Sequence, residues 1–433
     1  MPSKALLVGL SSFQFLSFLR RAIFYAFFYI YLRTFLGLSN TLAALLGTAN
    51  FFTSTIGQLK LWGPKLNQQP ENAKKYVVRG EIIAGIVYFI AFTGHRYLLD
   101  LQLKIGAAFF LIGILSFLEL FWSMSDLGVR HLIAQSTESQ GRGRTIGILD
   151  SMGLLGQITG FLLSGYLYQE GGGFRDGIIF YIVILLLFSC ATVVQFLVSP
   201  QKKIVDDALP ITLSSRGLRE LLGVRPYSLF LPSLFFLIMG IFSSSQIFLY
   251  YAADPIGLDF DAQSISFLLI VFSLAGGLLT PLGGRISDQV GRLPVIVIGS
   301  VGATISYLLL FIIGKQLFIV IALIYALLGA SSALIQTISF AHVADLLPSE
   351  LRGTGFALFN ITLATGWGFA GFLVGGPIAD ILISYGQTTA IAYRIDFFVS
   401  VIVILIGTSL LLVFYRKKEN KREMLHKKLS RKA

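Results

Sequence analysis

Long apolar stretches constrain this chain more than any other feature of its sequence. Hydrophobic residues make up 55% of the 433 residues, and charged residues make up only 13%. A helix that crosses a bilayer needs about 20 mostly apolar residues. Stretches of that kind lie at about 6–36, 40–61, 77–97, 105–127, 144–168, 177–198, 226–252, 263–284, 293–314, 316–341, 354–382 and 392–415. The sequence therefore predicts an all-α membrane protein with twelve transmembrane helices joined by short connections.

The basic residues predict the orientation of these spans. With the N-terminus inside, 26 of the 34 lysines and arginines fall in inner segments and 6 in outer segments. Because cytoplasmic loops carry an excess of Lys and Arg, both termini are expected in the cytoplasm, with the protein in the plasma membrane. The net charge of +12 then reflects topology and attraction to lipid headgroups, and nucleic acid is not an expected partner.

Two parts of the chain contain similar short motifs in the same order. Segment 142–165 contains Arg-Gly followed by GFLLSG, and segment 352–376 contains Arg-Gly followed by GFLVGG. Internal repeats of this kind are common in membrane transport folds, so the twelve helices are predicted to form two pseudo-symmetric six-helix bundles. The predicted domains are an N-terminal bundle over 1–198, a cytoplasmic linker over 199–225, a C-terminal bundle over 226–415 and a basic cytoplasmic tail over 416–433.

A short polar turn separates the eighth and ninth predicted spans. Residues 284–293 read GRISDQVGRL. This pattern resembles the loop signature of the major facilitator superfamily of secondary transporters, which has Gly, three residues, Asp, a basic residue, one residue, Gly and further basic residues. The chain has Gln289 and Leu293 where that family usually has Arg or Lys. The resemblance implies two six-helix bundles around a central cavity, working by alternating access.

The same resemblance implies a gating role for this turn. Its charged residues are expected to hold the inner side closed and to release it when the halves rock. A carboxylate at a helix junction can pair with arginines or accept from exposed amides, and Asp345 in the matching loop is a candidate partner for Arg292. The alternative is that these charges only set the topology. The candidate gating residues are Gly284, Asp288, Gly291, Arg292, Asp345, Arg352 and Gly353.

Glycines are concentrated in the fifth and eleventh predicted spans. Glycines on one helix face allow neighbouring backbones to approach closely. The spacing in the fifth span resembles the glycine-rich motif of the drug/proton antiporter branch, although Phe161 and Ser164 depart from that motif. That resemblance implies export, whereas tight packing of this span on the opposite half is the alternative. The candidate packing residues are Gly147, Gly156, Gly160, Gly165, Gly371 and Gly376.

Ionisable residues inside the apolar spans are the main functional clue. A charge at the bilayer centre costs about 2.5–3.5 kcal/mol on insertion scales, so it normally faces protein or water. Arg20 and Arg21 lie near the middle of the first span, Glu119 lies in the fourth, and Asp150 lies near the start of the fifth. Since one carboxylate cannot neutralise two arginines, one arginine is expected to meet an anionic group on a substrate. Glu119 and Asp150 are the candidate proton-coupling residues.

The resemblance implies that the first, fourth, seventh and tenth spans line the cavity. The alternative for the arginines is a permanent structural Arg–Glu pair. The candidate substrate-binding residues are Arg20, Arg21, Tyr25, Glu119, Trp122, Gln246 and Gln336.

The predicted function is secondary transport of a small organic solute by a monomer, coupled to protons and in the direction of export. The alternatives are organic-anion uptake, an uncoupled facilitator and a lipid or lysolipid carrier, with a non-transporting receptor as a different class. The four histidines show no metal-ligand spacing and there is no phosphate-binding loop, so enzymatic activity, a cofactor and ATP-driven transport are not expected. The expected partners are the substrate, protons and membrane lipids.

Overall fold

A computed structural model describes residues 4–136, 139–198, 215–348 and 351–430 of the chain. These residues contain helices and no strand. Eleven helical segments in these ranges are long and apolar enough to cross a membrane. The stretch predicted over 40–61 forms a helix of 17 residues, Asn40–Ile56, continued by a π-helical turn over Gly57–Trp62. The predicted all-α membrane fold is confirmed, and a count of twelve helices is consistent with it.

Contacts divide the chain into two compact units. The first unit comprises Met1–Ala208 and Leu249–Ser273, and the second comprises Leu209–Phe248 and Leu274–Ala433. The helices, in chain order, are α1 (Lys4–Ile30), α2 (Asn40–Ile56), α3 (Gly63–Gln68), α4 (Ala73–Asp100), α5 (Lys104–Ser136), α6 (Ser139–Tyr168), α7 (Gly172–Arg175), α8 (Ile178–Leu197), α9 (Ser215–Gly223), α10 (Arg225–Ser243), α11 (Ser245–Ala253), α12 (Ala262–Val290), α13 (Arg292–Ile313), α14 (Phe318–Leu346), α15 (Arg352–Ala370), α16 (Gly376–Ser384) and α17 (Thr389–Ser430).

The predicted domain bounds fall partly beyond the residues that the structure describes. Residues 199–214 of the predicted linker and residues 431–433 of the predicted tail lie outside the described ranges. The remaining linker residues form α9 and the start of α10, while α17 continues past residue 416 as far as Ser430. The bounds of the two bundles stay a prediction.

In the first unit, α4 packs on α5 through a glycine. A Cβ at Gly80 would lie 2.9 Å from the Phe121 carbonyl oxygen and 3.1 Å from Ser125 Cβ. Only glycine allows this approach, which is closer than a side chain tolerates. The residue after Gly80 is Glu81, so the close contact brings its carboxylate against α5.

Helix α6 packs on α1 in the same unit. A Cβ at Gly156 would meet the Phe15 carbonyl, and one at Gly160 would meet the Leu19 carbonyl. The sequence left open that the fifth span packs on the opposite half. For these two glycines that alternative is wrong, because their contacts are with α1.

The other glycines of the predicted packing set differ from one another. Gly165 faces the Ala262 carbonyl, 3.0 Å from a Cβ placed there, within the first unit. No heavy atom of the described residues lies within 4 Å of such a position at Gly147, so its packing role stays a prediction. Gly371 and Gly376 are buried at and just after a π-helical turn over Gly371–Gly375 in the second unit.

The seventh predicted span is broken into two helices. Helix α10 ends at Ser243, α11 begins at Ser245, and Ser244 between them has φ −97° and ψ 6°. Serine is a weak helix former because its hydroxyl competes for backbone groups. Three consecutive serines at this point, 243–245, are consistent with the break.

Candidate functional site

A fully buried ion pair joins α1 to α4. Arg20 and Glu81 are 1% and 0% exposed, and Arg20 Nη2 lies 3.2 Å from each carboxylate oxygen. Ser125 of α5 donates to Glu81 Oε1 at 2.6 Å, and Arg20 Nη2 donates to Ser17 Oγ at 3.3 Å. Because charged side chains are almost never fully buried without a partner, this pair fixes α1, α4 and α5 to each other.

A second, half-buried ion pair lies beside the first. Arg21 Nη2 donates to Asp126 Oδ1 on α5 at 2.9 Å, and the two side chains are 34% and 40% exposed. The Trp122 ring lies 4.5 Å from the Arg20 guanidinium carbon and 5.3 Å from that of Arg21. The indole face therefore makes cation–π contacts with both arginines.

Glu119 is not the partner of either arginine. The sequence offered Glu119 as the neutralising carboxylate, but Glu81 and Asp126 take that place. Both carboxylates had a signal in the sequence. Glu81 is an acidic residue inside the third predicted span, and Asp126 follows Glu119 by seven positions, which places the two on one helix face.

The carboxylate of Glu119 is left without a partner in the described ranges. Its side chain is half-buried on α5, and it makes no hydrogen bond or ion pair with the described residues. The predicted proton-coupling residue Asp150 is exposed on α6 and likewise has no ion pair within the described part of the chain. The two carboxylates thus differ in burial.

Several buried N–H donors around Trp122 lack an acceptor. Among the described residues, Arg20 Nε and Nη1, Arg21 Nε and Trp122 Nε1 are buried without a hydrogen-bond partner. The Tyr25 ring centroid lies 6.3 Å from that of Trp122. Leaving a buried donor unsatisfied costs about 1–3 kcal/mol. A bound group that supplies acceptor atoms to these donors is therefore stabilised here. We call Arg20, Arg21, Tyr25, Glu119 and Trp122 the arginine cluster.

The two predicted glutamines belong to the second unit. Gln246 lies on α11, and its Oε1 atom is buried without a hydrogen-bond partner in the described ranges. Gln336 lies on α14 and donates from Nε2 to Ser332 Oγ at 3.0 Å, within its own helix. The structure therefore places the seven predicted substrate-binding residues in two units, five in the first and two in the second.

Arg292 in the second unit holds two carboxylates. Its Nη1 donates to Asp288 Oδ1 at 2.5 Å and to Ser287 Oγ at 2.6 Å, and its Nε donates to Asp345 Oδ2 at 3.1 Å. Asp345 lies at the end of α14, so the arginine connects that end to the α12–α13 junction. Both carboxylates are exposed. This set of ion pairs, Asp288–Arg292–Asp345, is called the Arg292 fork.

The remaining predicted gating residues surround that junction or the next loop. Gly291 has φ +94° between α12 and α13, a conformation that favours glycine. A Cβ at Gly284 would meet no atom of the described residues within 4 Å. Arg352 Nε donates to the Leu347 carbonyl at 3.3 Å, and Gly353 is the second residue of α15.

The fold and these clusters define a class of protein. Multi-pass helical proteins that keep arginines and carboxylates inside their apolar spans are built to handle polar solutes or ions within the membrane. The chain belongs to the Major Facilitator Superfamily, whose family model matches residues 10–259 and 233–431. The resemblance in the sequence is confirmed. Membership of this family marks the protein as a multi-pass membrane transporter rather than an enzyme.

Curated relatives match part of the chain. A class E tetracycline resistance protein of Escherichia coli is 28% identical over 118 residues, 27% of this chain and 27% of that protein. A Na(+), Li(+), K(+)/H(+) antiporter of Planococcus maritimus is 28% identical over 163 residues, 36% of this chain and 34% of that protein. The matched regions thus span about a quarter and about a third of these relatives.

Solved structures match nearly the whole chain. The nucleoside transporter NupG superposes with a TM-score of 0.69 at 16% identity, covering 95% of this chain and 99% of that one. A bacterial homologue of the human lysosomal transporter Spinster has a TM-score of 0.74 at 13% identity, covering 96% and 98%. A D-xylose–proton symporter gives 0.68 at 14%, covering 93% and 96%. At these identities the likeness shows the shared fold.

Proposed function

We propose that this transporter exports a small organic solute in exchange for protons, by alternating access. The arginine cluster binds the solute, and Glu119 carries the proton. The observation that carries this proposal is the unpaired carboxylate of Glu119 beside two arginines that other carboxylates already neutralise.

The charges of the arginine cluster support a titrating role for Glu119. Glu81 balances Arg20 and Asp126 balances Arg21, so Glu119 is the surplus acid in this group. Taking an unpaired carboxylate out of water is costly, and such a group commonly becomes neutral instead. A proton or a cationic group of the solute therefore neutralises Glu119, and exchange of one for the other couples the two movements.

The unpaired donors support a solute that carries acceptor atoms. Arg20, Arg21 and Trp122 present buried N–H groups without acceptors among the described residues. A carboxylate, carbonyl or hydroxyl oxygen on the solute satisfies such donors. In this proposal Tyr25 packs against the solute beside Trp122.

Residues outside the cluster complete the proposal. Asp150 is a second proton carrier. The Arg292 fork holds the cytoplasmic side closed in one state and opens in the other. The protein works as a monomer in the plasma membrane with both termini in the cytoplasm, as the excess of basic residues in the inner segments supports.

The name of one relative supports exchange with protons, and the name of another supports the choice of a solute. One is a tetracycline resistance protein, and another is a cation/proton antiporter. Tetracycline, a solute with many oxygen atoms, is therefore the first probe for a transport assay.

The test is transport by the purified full chain in liposomes, with and without an imposed pH gradient. Glu119→Gln removes the surplus carboxylate, and Glu71→Gln makes the same change at an exposed site in the Pro70–Asn72 turn. We expect the gradient to accelerate tetracycline transport by wild type and by Glu71→Gln. In Glu119→Gln the rate becomes independent of the gradient. Full gradient dependence in Glu119→Gln contradicts the proposal.

A second candidate function is passage of an organic anion without proton coupling, which the unpaired N–H groups of Arg20 and Arg21 favour. In that case the wild-type rate does not respond to the gradient, and Arg21→Gln weakens binding of the anion. A lipid or lysolipid carrier moves labelled lipid in the same liposomes. If the protein is a non-transporting receptor, it binds its ligand but shows no counterflow in these liposomes.

A further inference from the structure

A buried carboxyl group in the second unit has no role in the function proposed above. Asp396 lies on α17 and is 0% exposed. It faces the break between α10 and α11, where Ser244 Oγ lies 2.5 Å from Asp396 Oδ2. The other oxygen, Oδ1, is buried without a hydrogen-bond partner among the described residues.

Three serine hydroxyls form a continuous chain from this carboxyl group. Ser244 Oγ lies 2.6 Å from Ser400 Oγ, and Ser400 Oγ lies 2.7 Å from Ser243 Oγ. Ser243 Oγ lies 3.1 Å from the Gly240 carbonyl oxygen, at the end of the chain. All three serines are 0% exposed.

No cation neutralises Asp396 in the described part of the second unit. The main helices packed against α17 are α10, α13 and α16, and Phe248 of α11 also reaches it, with its ring centroid 6.4 Å from that of Phe397. From α13, the Tyr307 hydroxyl donates to the Ile241 carbonyl. Arg394, on α17 itself, donates to the Phe311 and Ile312 carbonyls. Helix α10 contributes Ser243 to the hydroxyl chain, and α16 carries one acidic residue, Asp380.

The hydrogen bonds can be counted for each protonation state. When Asp396 Oδ2 carries a proton, it donates to Ser244, Ser244 donates to Ser400, Ser400 donates to Ser243, and Ser243 donates to the Gly240 carbonyl. Each hydroxyl then donates once and accepts once. When Asp396 is ionised, a full negative charge receives hydroxyl donation from Ser244 alone among the described residues. A buried charge with so little compensation is costly.

We propose that Asp396, with Ser244, Ser400 and Ser243, is a proton-binding site in the second unit. Binding converts the carboxylate and a proton to the neutral acid, and Ser244 changes from donor to acceptor. Because Ser244 is the residue between α10 and α11, proton occupancy sets the hydrogen bonding of this helix break. The site itself does not depend on the proposed transport reaction, whereas its use in coupling rests on that proposal.

The spacing of the oxygens favours a proton over a metal ion. Neighbouring oxygens in the chain are 2.5–2.7 Å apart from Asp396 to Ser243. Oxygens at these separations share a hydrogen atom, and they leave no room for an ion between them. Sodium is the competing ligand, because carboxylate and hydroxyl oxygens also suit hard cations.

Infrared spectroscopy tests the site on the full chain in liposomes, without any transport substrate. The carbonyl stretch of a protonated carboxyl group is recorded across a pH series for wild type and Asp396→Asn. We expect a band in wild type that is lost in Asp396→Asn and is retained in Glu119→Gln. Ser244→Ala keeps the band but moves it to higher frequency, because the acid loses the acceptor of its O–H group.

Ser306→Ala is the matched control for the serine variant. Ser306 is also 0% exposed, but its hydroxyl donates to the Gly302 carbonyl of its own helix. We expect its spectrum to match wild type. If wild type and Asp396→Asn have the same carboxyl bands at every pH, the site does not exist. A band that disappears on adding sodium at constant pH also overturns the proposal, in favour of a sodium site.

If Asp396→Asn does not fold, the frequency shift in Ser244→Ala decides, and an unshifted band overturns the proposal. Failure of this test leaves the role of Glu119 intact, because that role is measured by gradient-driven transport. Conversely, loss of gradient dependence in Glu119→Gln says nothing of the Asp396 band.

Discussion

Replacing one partner of the buried Arg20–Glu81 pair is expected to destabilise the protein strongly. Glu81→Gln keeps the size of the side chain and an oxygen for Ser125, but it removes the charge that balances Arg20. Removing one partner of a buried ion pair costs about 3–5 kcal/mol, because the remaining charge is uncompensated. Folded proteins have a total stability of only about 5–15 kcal/mol, so the loss is a large fraction of the whole.

The neighbouring pair provides a matched control. Asp126→Asn makes the same kind of change to the partner of Arg21, whose side chain and that of Asp126 are each about one-third to two-fifths exposed. Solvent screens such a pair, and exposed pairs contribute about 0–1 kcal/mol. We therefore expect Asp126→Asn to cost less than Glu81→Gln by about 2–5 kcal/mol.

The assay is denaturant unfolding of the purified protein in detergent, followed by tryptophan fluorescence. The free energy of unfolding is compared among wild type, Glu81→Gln, Asp126→Asn and the double variant Arg20→Met with Glu81→Leu. The double variant removes both buried charges, so it should regain most of the lost stability. Equal losses for Glu81→Gln and Asp126→Asn, or no recovery in the double variant, would refute this reasoning.

Three further predictions concern other parts of the molecule. Asp288→Asn removes one carboxylate from the Arg292 fork, and cysteines introduced near that junction should label faster; an unchanged labelling rate contradicts the gating role. Gly156→Leu should destabilise the protein by about 1–3 kcal/mol through overpacking on α1, whereas Gly147→Leu, at an open position, should leave the unfolding midpoint near that of wild type. Asp261→Ala removes the N-terminal cap of α12 and should cost about 1 kcal/mol near neutral pH.

The effect at Asp261 has a defined pH dependence. Hydrogen bonds from Ser264 hold the pKa of Asp261 below its usual value. A depressed pKa means that the stabilisation is present above the usual aspartate value of about 4 and is lost as the pH falls through the lower folded-state value. Unfolding of wild type and Asp261→Ala should therefore converge in acid, and a constant difference across that range would contradict the capping role.

Length and composition were sufficient to predict the membrane fold. An apolar stretch of about 20 residues has few alternatives to a transmembrane helix, and the loop signature at 284–293 identified the family. The exact ends of the helices were harder to predict from the sequence. The seventh span was predicted as one helix over 226–252, whereas the chain breaks at Ser244. The three serines at 243–245 were a signal for that break.

The pairing of charges inside the spans was not predictable from position along the chain. Sequence gives the depth of a residue in a helix, but which neighbour it faces depends on how helices rotate and pack. Glu81 of α4 meets Arg20 of α1 across 61 positions of sequence, and such a contact between distant helices leaves no local pattern. For the same reason, Asp396 in the twelfth span gave no sign that it faces Ser244.

Proton movement accompanying solute movement tests the central claim most directly. Liposomes containing the full chain and a pH-sensitive dye inside receive a solute found by thermal-shift screening, with no gradient imposed at the start. We predict that solute entry drives protons out, so that the lumen becomes more alkaline with wild type and with Glu71→Gln. No pH change is expected with Glu119→Gln. Solute entry through wild type without any change in luminal pH would contradict proton-coupled exchange.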